Sequence, residues 1–386
     1  MARAALSPPF AGMLSTKAAS LPIAVVVRTE DGTVMRYGQG SDAVELHVAN
    51  RAGMRALRSL NELEICEAYI RGDLGFEGDL LEAMAIRDIL SDDKLWIRLS
   101  ARLLPKLIGR TRCNPSWIAR HYDSDNVQLL AADSDHQTYT PGIYEGADDT
   151  LEVGARRKLD AAFRSLALQP GDRVLDVGSG WGGFLRYCAD RGVHATGITL
   201  SRHQLDYVRK RAQGVDHDRL EVLYQDFFSY EPSRRFDGIS LMGVMEDLSD
   251  YPRVMERVSR WVRPGGRIYC DFASADKRFS TSAFVTKYIW PGTFRMVYMP
   301  EFMEAIGRFS FDIVEVHNDR RNYYLWCRAL HERWVERRSE AVALAGEETW
   351  RTFRLLFAGV ASIMSPTSQR ATAYRLVLQE RGSEAR

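Results

Sequence analysis

Cysteine is scarce in this sequence, and what there is of it is scattered. The five, at 66, 113, 188, 270 and 327, include no C-x-x-C pair. An odd, unclustered set argues against a disulfide framework and against a zinc site, so no metal is expected and a reducing compartment is. An excess of either charge is also missing. Lys plus Arg is 52 and Asp plus Glu is 51, which gives no global case for a nucleic-acid partner. No apolar run approaches the ~18 residues of a spanning helix. LPIAVVV at 21–27 is short and lacks the basic start of a signal peptide. The expected location is cytoplasmic. Internal repeats and low-complexity tracts are absent as well.

What remains is an ordinary globular balance, 45% hydrophobic and 27% charged. A length of 386 residues suits one large or two unequal domains. Residues 1–20 read as a loose tail. From 22 to 48 apolar and polar residues alternate around DG and GQGSD turns, the pattern of strands or hairpins. From about 50 to 112 the pattern is helical, and NPSW at 114–117 is a break. This predicts a smaller N-terminal α+β domain over 1–118 and a second domain over 119–386. In the second, LEVGARRKLDAAFRSLAL, GGFLRYCADRG, SRHQLDYVRKRAQ and YPRVMERVSRWVRPGG read as helices. GDRVLDVG, VHATGITL, LEVLYQD, FDGISLMG and GRIYCDFA read as strands between them. Strands separated by helices predict an α/β fold with a doubly wound, mostly parallel Rossmann-like sheet that binds ligands at its carboxyl edge.

VLDVGSGWGG at 174–183 decides the ligand. Gly178, Gly180 and Gly183 satisfy G-x-G-x-x-G, the dinucleotide fingerprint. A nicotinamide site also wants an acid about 20 residues further on to bind the ribose. That position, the end of VHATGITL, offers Gly197, Ile198, Thr199 and Leu200, and no acid. Asp176 stands two residues before Gly178, where a carboxylate meets the cationic amino-acid end of S-adenosylmethionine. The reading is therefore S-adenosylmethionine rather than NAD, with S-adenosylhomocysteine as product. Thr199, Leu200, Ser201 and Gln204 are placed to bond the ribose. Asp226 follows the third strand, near the adenine, and Glu246 ends the fourth, where a substrate would meet the methyl group.

These residues, with HYD at 121–123, YTPGIY at 139–144, GITLSRHQ, YIWPG at 288–292 and the tail RLLFAGVASIMSPTSQRATAYRLVLQER, resemble the cyclopropane fatty acid synthase family, which includes the mycolic acid methyltransferases. The resemblance covers 121–386, and more loosely GDLGFEGDL at 72–80. It implies a class I methyltransferase fold and methylation of the double bond of an unsaturated acyl chain, in the bacterial synthases a chain already in phospholipid. It implies that Tyr139 and Thr140 cover the cofactor, that Gly178 and Gly180 line its amino-acid part, that Thr199 and Gln204 bind its ribose, and that Asp226 and Phe227 bind its adenine. Trp181 follows the loop as in the family, and Ser179 stands where cysteine is common.

The family also holds a bicarbonate at the reaction centre, in a shell of cysteine, glutamate, histidine and tyrosine. Glu246 is kept here and Tyr323 matches the tyrosine, although NYYLW also offers Tyr324. Pro141 stands at the cysteine position, Asp271 at the histidine, and the turn reads E-D where the family has E-H. A carboxylate at 271 repels an anion or is itself the base, so bicarbonate is doubtful. The catalytic candidates are Glu246, Asp271 and Tyr323, with a helix cap as the bland reading of Glu246 and a solvated loop carboxylate as that of Asp271. Branched or methylene products are placed ahead of cyclopropane. Phe272, Tyr288, Trp290, Phe294 and Tyr298 are core, or the wall of an acyl tunnel. His121 and Tyr122 pin the domain junction or touch substrate.

KLWIRLSARLLPKLIGRTR at 94–112 sets Arg98, Arg102, Lys106 and Arg110 on one helical stripe beside Leu95, Leu99, Leu103 and Leu107. It reads as a surface for peripheral contact with anionic membrane, or as a helix packed on the catalytic domain. The partners expected are an unsaturated phospholipid or fatty acyl substrate and that membrane. A homodimer and a later lipid-modifying enzyme stay open. The competing functions are a small-molecule methyltransferase and a non-catalytic S-adenosylmethionine-binding lipid protein.

Overall fold

The computed structural model describes residues 16–382, except 18, 20, 22, 39–42, 92–126, 133–135, 137, 213–218, 278–281, 291–294 and 369. The basic stripe of 94–112, NPSW, His121, Tyr122 and Phe294 lie outside the described residues, as does the expected domain boundary at 118. No helix among the described residues is long and apolar enough to cross a membrane.

The N-terminal unit is, among the described residues, a four-stranded sheet with two longer helices, Arg51–Ser59 and Glu62–Arg71, and the one-turn helix Leu80–Ala83. Strands β1 (Ala24–Thr29), β2 (Val34–Tyr37), β3 (Ala43–Val48) and β4 (Leu74–Glu77) lie in the order β2-β1-β3-β4. The expected hairpin is β1–β2, while β3 pairs parallel to β1. β4 interrupts the segment read as all helical. It follows Gly72, whose left-handed backbone ends helix Glu62–Arg71 and turns the chain back onto β3. Asn50 and Asn61 cap the two helices by accepting backbone N–H bonds. This unit does not close a core of its own. Leu57, Ile65, Leu74 and Met84 share one hydrophobic cluster with Trp334, Phe353 and Phe357, from helices Arg320–Glu336 and Glu347–Met364. Arg351 and Arg354 reinforce the contact by donating to the Tyr69 carbonyl and hydroxyl, at 2.9 and 2.8 Å.

The second sheet has seven strands in the order β10-β11-β9-β8-β5-β6-β7. β5 (Arg173–Val177), β6 (His194–Thr199), β7 (Leu220–Tyr224), β8 (Phe236–Met242) and β9 (Val262–Ser274) are parallel. β10 (Phe311–Asn318) and β11 (Thr372–Glu380) close one edge antiparallel. The strand order reverses at β5, and the carboxyl ends of β5, β6 and β8 meet there, which is where such sheets bind ligands. Helix Tyr251–Trp261 stops before Arg263 and Pro264, which the sequence pattern places in the helix. The residue before a proline is driven out of the helical region.

Helix Leu151–Ser165 is capped by Thr150 and lies under the segment 138–144. Gly142 and Gly154 bring the two together. A Cβ on Gly142 would come within 2.4 Å of the Gly154 carbonyl carbon, and one on Gly154 within 2.4 Å of the Tyr144 ring. The Ile143 N–H donates to the Gly154 carbonyl at 2.9 Å. In an open helix Gly→Ala stabilises by about 1 kcal/mol; here overpacking, at about 1–3 kcal/mol, opposes it. Gly154→Ala is expected to lower stability by about 1 kcal/mol in urea denaturation. A midpoint at or above wild type would contradict this packing.

Candidate active site

The turn after β5 shows why this stretch needs its glycines. Gly178 and Gly180 have φ of +66° and +52°, where side chains are strained. Gly183 opens the next helix under the preceding segment, and a Cβ there would lie 2.0 Å from the His136 carbonyl oxygen. The bare backbone borders a cavity of about 220 Å³.

The cofactor-binding and catalytic residues read from the sequence all line this one cavity: Tyr139, Thr140, Asp176, Gly178, Gly180, Thr199, Leu200, Gln204, Asp226, Phe227, Glu246, Asp271 and Tyr323. Their environments differ. Asp176 is buried on β5, and the Ser240 hydroxyl of β8 donates to its Oδ1 at 2.5 Å. Burial pushes its carboxyl up to about 7, against the pull of Ser240 and Lys158. Thr199 donates to the Gln204 side-chain oxygen at 3.0 Å and accepts the Ser201 N–H. The threonine thus orients Gln204, whose amide nitrogen remains as a donor. Asp226 accepts the Phe228 N–H at 2.9 Å, and Phe227 packs edge-on against Trp261.

Glu246 is buried on the turn after β8. Its Oε1 accepts the Ala273 N–H at 2.7 Å, while its Oε2 is buried with no protein partner. Burial raises its carboxyl to about 8, with Asp247 and Asp271 adding to the rise. It is not a helix cap, because Asp250 holds that place on helix Tyr251–Trp261. Tyr323 projects from helix Arg320–Glu336 and packs edge-on against Trp326, which also meets Tyr139. Burial pushes its phenol up, and Glu246 adds to this. Tyr324 is absent from the cavity wall.

Asp271 differs from both readings given to it. It is buried on β9, neither a loop residue nor a free carboxylate. Its Oδ1 accepts the Gly243 N–H at 3.0 Å, and its Oδ2 pairs with the Lys158 ammonium at 2.8 Å. The Lys158 ammonium occupies its Oδ2 and offsets its charge. Lys158 was missed because nothing in LEVGARRKLD tells which cation of its run turns inward. Ser240, Gln128, Trp326 and Cys327 were also missed, since long-range packing brings them to the site. Of the aromatics, Phe272 and Trp290 line the cavity and Tyr288 is exposed.

The residues present fit S-adenosylmethionine. Two raised carboxyls await a cation, and Ser179 Oγ and both amide atoms of Gln128 are buried in the wall without protein partners. They do not fit bicarbonate. Pro141 offers no donor, the Ala273 N–H is taken by Glu246, and Asp271, its two oxygens engaged by Gly243 and Lys158, offers none either.

Sheet order, glycine turn and cleft together define a class I S-adenosylmethionine-dependent methyltransferase. The model of the mycolic acid cyclopropane synthetase family matches residues 110–370, and the chain belongs to that family. A probable fatty acid methyltransferase of Mycobacterium tuberculosis is 29% identical over 273 residues, 68% of this chain and 62% of that protein, so the match spans less than two thirds of that relative. One from Pseudomonas putida is 28% identical over 306 residues, 76% of this chain and 77% of that one. A sphingolipid C9-methyltransferase of Komagataella phaffii is 23% identical over 338 residues, 81% and 69% of the two chains. The solved cyclopropane synthase from Mycobacterium tuberculosis superposes with a TM-score of 0.64 at 24% identity, covering 69% of this chain and 98% of that one.

In thermal-shift titration S-adenosylhomocysteine is expected to stabilise the protein and NADH to leave it unchanged. Asp176→Ala is expected to remove most of the shift. Stabilisation by NADH alone would overturn the cofactor assignment.

Proposed function

We propose that this protein transfers a methyl group from S-adenosylmethionine to the double bond of an unsaturated fatty acyl chain, carried in phospholipid. The observation that carries the reading is a second, larger cavity. It measures about 520 Å³ and shares Trp290, Tyr323, Leu356 and Val360 with the cofactor cleft. Its walls are mostly apolar: Leu57, Ile65 and Phe76 from the N-terminal unit, and Ile363 and Met364 from helix Glu347–Met364. A small polar substrate has no use for such a chamber; an acyl chain does.

Bound S-adenosylmethionine supplies an electrophilic methyl, and its transfer to the alkene leaves a carbocation on the acyl chain that must shed a proton. Asp176 holds the cationic amino-acid end of the cofactor. Glu246 lines the cofactor cleft and is bonded to Ala273, which lines the second cavity, and its anion offsets the developing positive charge. Its free Oε2 is the acceptor for the proton, and its raised basicity suits that task. The aromatic rings of Tyr323, Trp326 and Trp290 exclude water and face the cation. Direct loss of a proton from the new methyl closes a cyclopropane. Loss after a 1,2-hydride shift leaves a methylene group, and a saturated branch then needs two electrons and two protons, supplied through a reductase. With no fitted bicarbonate, the methylene route is placed first. The names of the fatty acid and sphingolipid methyltransferases among the relatives support methylation without ring closure. Attachment to anionic membrane through 94–112 belongs to the same reading and rests on the sequence pattern alone.

Expression in a host with unsaturated phospholipids tests the product. The acyl chains are expected to gain one carbon, with alkene rather than ring-methylene protons in the NMR spectrum. An all-cyclopropane, bicarbonate-dependent product would contradict the route, and unchanged lipid would contradict the substrate. Because Glu246 acts as the anion, kcat/KM is expected to rise with pH through about 8 and then level. Glu246→Gln is expected to cut kcat by roughly 100-fold or more, with S-adenosylhomocysteine affinity nearly kept. Turnover like wild type in that variant would exclude the role.

A further inference from the structure

We propose that Lys158 is a positioning residue, whose single buried ammonium fastens the segment over the cofactor to the turn that carries Glu246. This rests on the role given to Glu246 above. Lys158 is 2% exposed on helix Leu151–Ser165. A buried ammonium persists only where it is paired and hydrogen-bonded. Here it has two partners on two different segments. It donates to the Thr140 hydroxyl at 2.6 Å and pairs with Asp271 Oδ2 at 2.8 Å.

Each partner reaches further. Asp271 Oδ1 and the Asp271 carbonyl both accept the N–H of Gly243, at 3.0 and 3.1 Å. Gly243 follows β8 with φ of +60°, and a Cβ there would lie 2.6 Å from the Thr140 methyl. Thr140 therefore packs on the same turn that Asp271 holds by hydrogen bonds. Glu246 lies three residues beyond Gly243, and its anchor, the Ala273 N–H, lies two residues beyond Asp271. Both ends of the Glu246 attachment thus trace back to the Lys158 pair. A displacement of a reacting group by about 1 Å is worth on the order of 100-fold in rate, so this pair can matter for turnover without touching substrate.

Hydrogen–deuterium exchange of the S-adenosylhomocysteine complex gives a test that needs no acyl substrate. Lys158→Met and Asp271→Asn are each expected to speed exchange in peptides covering 138–144 and Gly243, and Lys158→Arg to restore most of the protection. If Lys158→Met fails to fold, Asp271→Asn carries the same comparison. Turnover adds a second reading. The titratable groups that act on Glu246 are Asp247, Tyr251, Cys270, Asp271 and Tyr323, and the Arg295 backbone N–H donates to the Glu246 carbonyl. Among these, Asp271 is the carboxylate that Lys158 offsets. Lys158→Met is expected to lower kcat by about tenfold to a hundredfold and to move the acid limb of kcat/KM upward. Asp271→Asn is expected to move the limb downward, and the double variant to return it toward wild type. Unchanged exchange at both segments, or a lower melting temperature with the limb unmoved in all variants, would reduce Lys158 to a structural ion pair and overturn the proposal.

Discussion

The burial of carboxylates at the carboxyl edge of the large sheet sets the chemistry of this protein. Asp176, Glu246, Asp247 and Asp271 are all buried there. Burial favours the neutral acid unless a cation or hydrogen-bond donors compensate. Asp271 has its compensation inside the chain, from Lys158 and the Gly243 N–H. Asp176 has one hydroxyl and Glu246 one N–H, and both are left with raised affinity for a proton. A ligand that carries its own positive charge satisfies them, and a sulfonium amino acid carries two. The same argument disfavours a bound anion in this place.

The apolar chamber beside the cleft follows from how the two parts of the chain share a core. The N-terminal sheet and its helices do not close on themselves. They close on helices Arg320–Glu336 and Glu347–Met364, and the cavity lies in the seam. The solved synthase covers 69% of this chain while nearly all of its own length is used. The family model matches residues 110–370, so the N-terminal walls of the chamber, Leu57, Ile65 and Phe76, lie outside the matched part, and in the proposed function they shape the space for the acyl chain.

Much of the cofactor cleft was legible because its signals are local. Positive-φ glycines, an acid two residues earlier and the missing acid after β6 are properties of short stretches. The sheet was legible for the same reason, from strands separated by amphipathic helices. Three features were not. β4 is four residues long and hides inside a helical pattern until Gly72 reverses the chain. The parallel pairing of β3 with β1 depends on contacts no local pattern encodes. Lys158 sits beside Arg156 and Arg157, and only the packing of segment 138–144 decides which of these cations is buried. For the same reason the sequence offers Asp271 as a base or a solvated loop carboxylate, and the ion pair with Lys158 is visible only in the fold.

If buried acids awaiting a cation define the cleft, cofactor binding must release protons. Calorimetric titration near pH 7, in two buffers of different ionisation enthalpy, counts them. S-adenosylmethionine is expected to release more protons than S-adenosylhomocysteine, because its sulfonium would bring a second positive charge, which in the proposed function Glu246 would meet, and Glu246→Gln is expected to erase the difference. Equal heats in both buffers for both ligands would mean that the carboxylates are already ionised, and would contradict the account.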